Sequence, residues 1–290
     1  MKEIVIISGK GGTGKTSLAA SFAVLAERPV IADCDVDAAD LHLVLAPLTR
    51  ERHDFYSGHE AVIRQQACSA CGACLAHCCF AAVEKKVQDD GVVKYTIDPV
   101  ACEGCGVCVR FCPEKAIDFP ERFCGEWMIS ETRCGLMVHA RLGVAAENSG
   151  KLVSTVRREA RRIAEEENRS VIIVDGPPGI GCPVIASLAG ATLVLVVTEP
   201  TVSGEHDLER VLALARHFDM PAAVCVNKWD LNPDMTERIE NMAMRAGAKI
   251  VGRIRYDCAV TAAQIQERAV VETAAPCVVD IQRIWNDLNL

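Results

Sequence analysis

The chain has 290 residues, a formal charge of −8, 50% hydrophobic residues and 24% charged ones. That balance suits a soluble globular protein with one large core or two modest ones. The negative charge argues against a general affinity for nucleic acid or anionic lipid.

In chain order, Lys2–Ser8 is a β-rich apolar run, followed by Gly9-Lys10-Gly11-Gly12-Thr13-Gly14-Lys15-Thr16. This satisfies G-x-x-x-x-G-K-[ST] in the required context of strand, loop and helix. Backbone N–H groups from Gly11, Gly12, Thr13 and Gly14 through Ser17 are expected to cradle phosphate oxygens at the helix N-terminus. Lys15 is expected to reach the β and γ phosphates of ATP, and the Thr16 hydroxyl to ligate Mg²⁺. Ser17–Glu27 continues as the helix, ended before Pro29. Pro29–Asp33 is the next buried strand, and its carboxyl end, where ligand chemistry collects in doubly wound sheets, carries Asp33-Cys34-Asp35-Val36-Asp37. Asp33 and Asp37 are either part of that chemistry or caps of a helix over Ala38–Leu45.

The early Lys10 gives the loop the form Lys-Gly-Gly-Thr-Gly-Lys-Thr. This resembles the deviant Walker A of the MinD, ParA and nitrogenase iron protein class of P-loop ATPases. The resemblance implies an α/β parallel-sheet fold and a dimer, of two copies or with a related ATPase, in which Lys10 reaches the partner's nucleotide. It also implies that Asp35 orients the attacking water.

The nucleotide fold next requires a strand ending in an acidic residue, which arrives only at Val171-Ile172-Ile173-Val174-Asp175. The intervening sequence is too long for one crossover. Nine of the chain's sixteen cysteines fall between Cys68 and Cys112. The apolar run Ile4–Ile7 is too short for an export signal. The clustered cysteines therefore read as metal ligands in a reducing cytoplasm rather than as disulfides. Cys68, Cys71, Cys74 and Cys78 are spaced C-x2-C-x2-C-x3-C, as are Cys102, Cys105, Cys108 and Cys112, with Pro113 after the second run. Zinc sites use separated C-x2-C pairs instead.

Two such runs resemble the bacterial two-cluster ferredoxins, which implies two [4Fe-4S] clusters with crossed ligation. Cys68, Cys71 and Cys74 then share a cluster with Cys112, and Cys102, Cys105 and Cys108 share the other with Cys78. Cys79 stands where the second run has proline, as a competing ligand or a bystander. Gly91–Ile97 reads as a short strand between the runs. The expected organisation is ATPase over 1–57, a ferredoxin-like α+β insert over 58–120, and ATPase again over 121–290.

Glu126–Thr132 and Leu136–Arg141 read as a hairpin turning at Cys134-Gly135. Glu147-Asn148-Ser149-Gly150-Lys151-Leu152 opens a helix to about Asn168, and that run, with Val138–Leu142, resembles MinD-like ATPases carrying a ferredoxin insert. Val153, Val156, Ala160 and Ile163 form its apolar stripe, leaving Arg157, Arg158, Arg161 and Arg162 as a solvated basic row. His139 is expected in core or hairpin packing. After Asp175, expected to hold a Mg²⁺-bound water, Gly176-Pro177-Pro178-Gly179 offers the Gly179 N–H to the γ-phosphate. Cys182 follows as a packing residue or a redox thiol. Val184–Val197, broken by Ser187, Gly190 and Thr192, falls short of a membrane span. The helix Gly204–Phe218 and the strand Pro221–Val226 lead to Asn227-Lys228-Trp229-Asp230, which matches the base-reading N-K-x-D of GTP-binding proteins. It also resembles MinD relatives, in which the asparagine contacts adenine, and Lys10 favours ATP. Lys249–Arg253 completes the strands, and Val278, Ile281, Trp285 and Leu288 make the last helix amphipathic.

The leading expectation is an ATPase whose dimer closure gates electron transfer to a redox or cluster-acceptor protein. A scaffold or carrier for cluster assembly is the alternative. A MinD-like membrane organiser fits less well, because the tail's polar face carries Asp280 and Asp287 against Arg283.

Overall fold

The computed structural model describes residues 1–143, 146 and 149–288, so Glu147 and Asn148 of the E-N-S-G-K-L run lie outside the described residues. From the N-terminus, β1 (Lys2–Ser8) passes through the glycine loop into α1 (Lys15–Leu25), β2 (Val30–Asp33) and α2 (Leu41–Leu45). Then come β3 (Leu48–His59), β4 (Val62–Ile63), α3 (Ala73–His77), β5 (Val83–Val87) and β6 (Val93–Ile97). They are followed by α4 (Val107–Phe111), β7 (Ile117–Asp118), β8 (Glu121–Glu131) and β9 (Leu136–Leu142). The rest alternates as α5 (Ser149–Glu166), β10 (Val171–Pro178), α6 (Cys182–Leu188), β11 (Leu193–Thr198), α7 (Val202–His217) and β12 (Ala222–Asn227). It ends with α8 (Pro233–Arg245), β13 (Lys249–Ile254), α9 (Ala259–Ile265) and α10 (Cys277–Asp287). Residues 1–53, 126–141 and 149–288 form one compact unit; residues 54–125 with 142, 143 and 146 form another.

In the first unit the strand order runs β13-β12-β11-β1-β10-β2-β9, followed by β8 and β3. The pairings from β13 through to β9 are parallel. Strands buried on both faces read as unbroken apolar runs, and Ile4 to Ile7 are all fully buried. α1 and α10 cover one face, where the Phe22 and Trp285 rings meet at 5.0 Å. Register sets Asp175 directly beside Asp33, so two strands deliver carboxylates to the same edge. The expected hairpin turns at Thr132–Gly135, with the Thr132 N–H donating to the Gly135 carbonyl at 2.9 Å. A Cβ on Gly135 would stand 2.1 Å from the Pro29 carbonyl oxygen, which reserves that position for glycine. β3 has no counterpart among the sequence expectations.

α5 buries its predicted stripe, but the basic row is not uniformly solvated. Arg157 is 4% exposed and donates through Nε to Glu3 at 2.8 Å and through Nη1 to the Ala186 and Ala189 carbonyls. Arg161 also grips Glu3 and reaches the Ala189 and Gly190 carbonyls. Both cations sit where the end of α6 presents unpaired carbonyls. Arg162 keeps to the surface and pairs with Glu159 and Glu166.

His139 is buried, with Nε2 2.8 Å from the Ser130 hydroxyl. Burial, helped by His42 and Arg52, pushes its pKa down to about 4. The unfolded chain therefore binds the proton more readily than the folded one. Stability should fall as pH drops from 6.5 toward 4, by up to roughly 3 kcal/mol. Denaturant midpoints across that window should show the slope, and His139→Gln should flatten it.

The second unit holds two small antiparallel ladders, β5 with β6 and β4 with β7. Its central buried cluster is Ala61, Cys74, Ala82, Val83, Tyr95, Cys102 and Ile117. The two cysteine runs are built alike: Gly72 at φ 77° opens α3 and Gly106 at φ 71° opens α4. Only five residues of helix follow each.

Candidate functional site

The glycine loop joins β1 to α1 at the carboxyl edge of the sheet. Gly14, at φ 91°, opens the helix. A Cβ there would stand 2.4 Å from the Asn227 side-chain nitrogen, so the loop folds hard against the end of β12. Nothing lies within 4 Å of a Cβ position on Gly11 or Gly12, which leaves that backbone open to a ligand. Lys15 is buried and bonds Asp35 at 2.8 Å. Burial opposes its charge, but Asp175, Asp35 and Asp33 together hold its pKa above the ordinary lysine value. Thr16 is half-buried, and the Ser17 hydroxyl accepts from Gln264 at 2.9 Å.

Three carboxylates face that single ammonium. Asp33 accepts the Asp35 N–H at 3.2 Å through one oxygen, while its other oxygen and both oxygens of Asp175 are buried without a hydrogen-bond partner. The buried Thr13 hydroxyl is unpartnered too. Burial pushes Asp175 up to about 6 and Asp33 well above the carboxylate range. Unpaired buried oxygens around a helix N-terminus suit a hard divalent cation and a phosphate, so this donor set fits Mg²⁺. Asp33 thus belongs to the carboxylate cluster. Asp37 caps nothing, because α2 begins after Asp40. The Gly179 N–H, expected at the γ-phosphate, donates to the Ser8 carbonyl at 2.8 Å.

Lys10 lies on its own chain, with Nζ 2.5 Å from Glu199 and 3.0 Å from the Ser203 hydroxyl. Glu199 also holds Lys228 at 3.1 Å, and Lys228 donates to the Gly12 carbonyl at 3.2 Å. The Asn227 side chain is committed at both ends, donating to the Thr13 carbonyl at 2.8 Å and accepting the Lys228 N–H at 2.9 Å. Asp230 accepts the Tyr256 N–H at 2.7 Å. Glu199 and Gln264 were invisible to motif reading, because neither stands in a phosphate-binding pattern.

In the second unit, Cys68, Cys71, Cys74 and Cys112 line one cavity, and Cys78, Cys102, Cys105 and Cys108 line another. The spaces between their atoms are about 320 and 360 Å³, partly open to solvent. Burial and the neighbouring Cys68 and Cys71 push the Cys74 thiol up; burial, Cys102 and Cys105 do the same for Cys108. Burial also opposes the Cys78 thiolate, yet the backbone N–H groups of Phe80, Ala82, Val83 and Ala81 hold it below the usual thiol value. Cys112 accepts the Ala116 N–H at 3.3 Å. Among the described residues, no three His, Cys, Asp or Glu side chains converge closely enough to hold one metal ion. Four thiolates that each take a different iron of a cluster stand farther apart than ligands of a single ion. What the two cavities share is a lining of four cysteines each. Cys79 is exposed and lines neither cavity; His77 stacks on Phe111 at 4.2 Å. Cys182 is exposed at the start of α6.

A parallel sheet with a glycine loop at its carboxyl edge and acidic residues on adjoining strands defines a P-loop nucleotide-binding domain. The sequence matches the model of the CobQ/CobB/MinD/ParA nucleotide binding domain over residues 4–270, and the chain belongs to that family. An uncharacterised protein of Methanocaldococcus jannaschii, MJ0578, is 32% identical over 234 residues, 79% of each chain. MinD in the MinC:MinD cell division complex of Aquifex aeolicus superposes with a TM-score of 0.59 at 19% identity, covering 100% of this chain and 96% of that one. The cell division ATPase MinD of Pyrococcus furiosus gives 0.58 at 15% identity, over 99% and 98%. Among the described residues no helix is long and apolar enough to cross a membrane.

Proposed function

We propose that the chain is an ATPase that couples nucleotide-driven dimerisation to electron delivery from two [4Fe-4S] clusters held by the second unit. The observation that carries the redox part is the cysteine partition: each cavity takes three cysteines from one run and the fourth from the other, the crossed pattern of two-cluster ferredoxins. The modest buried cluster of this unit supports the same reading, since domains of this size are commonly stapled by a metal or other cross-link.

Nucleotide arrival exchanges one partner of Lys15 for another. The ammonium leaves Asp35 for the β and γ phosphates, and Asp35 becomes free to orient the attacking water. Thr16, Asp175 and Asp33 would hold Mg²⁺, and the ion would supply charge neutralisation at the phosphoryl oxygens. The Gly179 N–H turns from Ser8 to the γ-phosphate, and Lys10 leaves Glu199 for the partner's nucleotide, the partner being a second copy or a related ATPase. Adenine is the base favoured by the Lys10 form of the loop, and Asn227, held by the Thr13 carbonyl and the Lys228 N–H, has to turn from the loop to contact it.

The test is the rate at which anaerobically reduced, iron-loaded protein passes electrons to a viologen dye, with ATP, with ADP and without nucleotide. Acceleration by ATP with clusters retained supports the reading. A rate indifferent to ATP rejects the coupling, and loss of iron and sulfide to an apo-acceptor protein assigns the chain to cluster assembly instead.

A further inference from the structure

The two cysteine-lined cavities are close copies in their backbone but not in their side chains. In each run the glycine after the second cysteine opens the short helix in the left-handed conformation: Gly72 at φ 77° and Gly106 at φ 71°. An aromatic ring is set against each bare glycine. The Tyr95 hydroxyl lies 2.8 Å from the position a Cβ on Gly72 would take, and Phe119 Cζ lies 3.3 Å from that position on Gly106. The pseudo-symmetry thus pairs Tyr95 with Phe119, and the difference between them is one hydroxyl.

That hydroxyl has an unusual setting. Tyr95 is 6% exposed and lines the cavity of Cys68, Cys71, Cys74 and Cys112. The backbone carbonyl of Tyr95 accepts from Gln65 at 2.8 Å, while its ring and hydroxyl stand against Gly72, beside Cys71, in the wall of that cavity. The side chains with polar hydrogens around the other cavity belong to exposed residues, chiefly His77. Backbone donors do not separate the two sites, because Cys112 receives the Ala116 N–H and Cys78 faces the equivalent N–H of Ala82.

We infer that the Tyr95 hydroxyl donates a hydrogen bond to sulfur in the first cavity and makes that site the more easily reduced of the two. The inference rests on the reading of both cavities as iron–sulfur sites. Hydrogen bonds to cluster sulfurs are among the protein's means of setting potential, because they stabilise the more negative, reduced state. An electron supplied by an external low-potential one-electron donor then settles in the Cys68-Cys71-Cys74-Cys112 site. Transfer between the sites moves one electron from the reduced second site to the oxidised first site, with no bond made or broken. The chain thereby acquires an internal direction, and Tyr95 is a positioning residue for it.

The experiment is an EPR-monitored redox titration of the full, iron-loaded chain as wild type, Tyr95→Phe and Phe119→Tyr, after iron and sulfide have been counted in each. Wild type should show two one-electron waves. Tyr95→Phe should weaken reduction of one site about tenfold, a downward shift of ~59 mV for a one-electron couple, and leave the other wave in place. Phe119→Tyr should raise that other wave. Fully loaded Tyr95→Phe protein with both waves unmoved, or with both displaced equally, overturns the inference. Wild-type protein that takes up no iron and sulfide overturns instead the reading it rests on, and the metal count reveals this before any titration.

Discussion

Lys15→Ala is expected to lower steady-state ATP hydrolysis at least ~100-fold, the loss typical when a preorganised electrostatic contact to the transition state is removed. The ammonium is set among Asp33, Asp35 and Asp175. Without it, those carboxylates must take up protons or draw in a cation before a triphosphate can approach. Apparent ATP affinity should therefore fall along with turnover. Because Lys15 is buried against the ends of β2 and β10, far-UV circular dichroism has to show the variant folded before rates are compared. Electron delivery to dye should persist at its nucleotide-free rate and lose its response to ATP. Retained ATP-dependence of electron transfer in this variant would sink the coupling, whatever happens to hydrolysis.

Cys78→Ala carries the second large effect. Iron content should drop from about eight atoms per chain to about four, and the cluster lost should be the one surrounded by Cys102, Cys105 and Cys108. A pairwise design makes the partition decisive. Cys78→Ala combined with Cys102→Ala removes nothing further, because both changes strike one site. Cys78→Ala combined with Cys68→Ala empties both sites. The opposite result, about four iron atoms retained by the Cys68/Cys78 pair, would mean that each run closes on itself. Such non-additivity is the signature of residues acting as one unit.

Much of this architecture is legible in the sequence because it depends on local rules. The glycine loop, the apolar strands and the cysteine spacings are each specified within a dozen residues. Contacts that join distant stretches are not. Arg157 reads as part of a solvated row because its neighbours on α5 are charged, but its partner Glu3 is 154 residues away in sequence. β3 escapes notice since Arg50-Glu51-Arg52-His53 offers no apolar alternation, its face being exposed. Lys10 stands out by its place in the motif, whereas its attachment to Glu199 depends on how β11 and the loop meet. The pairing of Asn227 with the Thr13 carbonyl is hidden for the same reason. A base-reading motif does not disclose that its asparagine is spent on the phosphate loop.

The strand order has a consequence for the sequence of events as the chain leaves the ribosome. β1 finds its neighbours only in β10 and β11, and the earlier of these begins at Val171. The last cysteine of either cavity is Cys112, and β4 closes on β7 by Asp118. Synthesis from the N-terminus lets a unit fold once its contacts have been made. The eight thiols are thus assembled, and their cavities can close, while the phosphate loop still lacks the strands that flank it. In a nascent chain the cysteine cavities can be complete before the nucleotide site is.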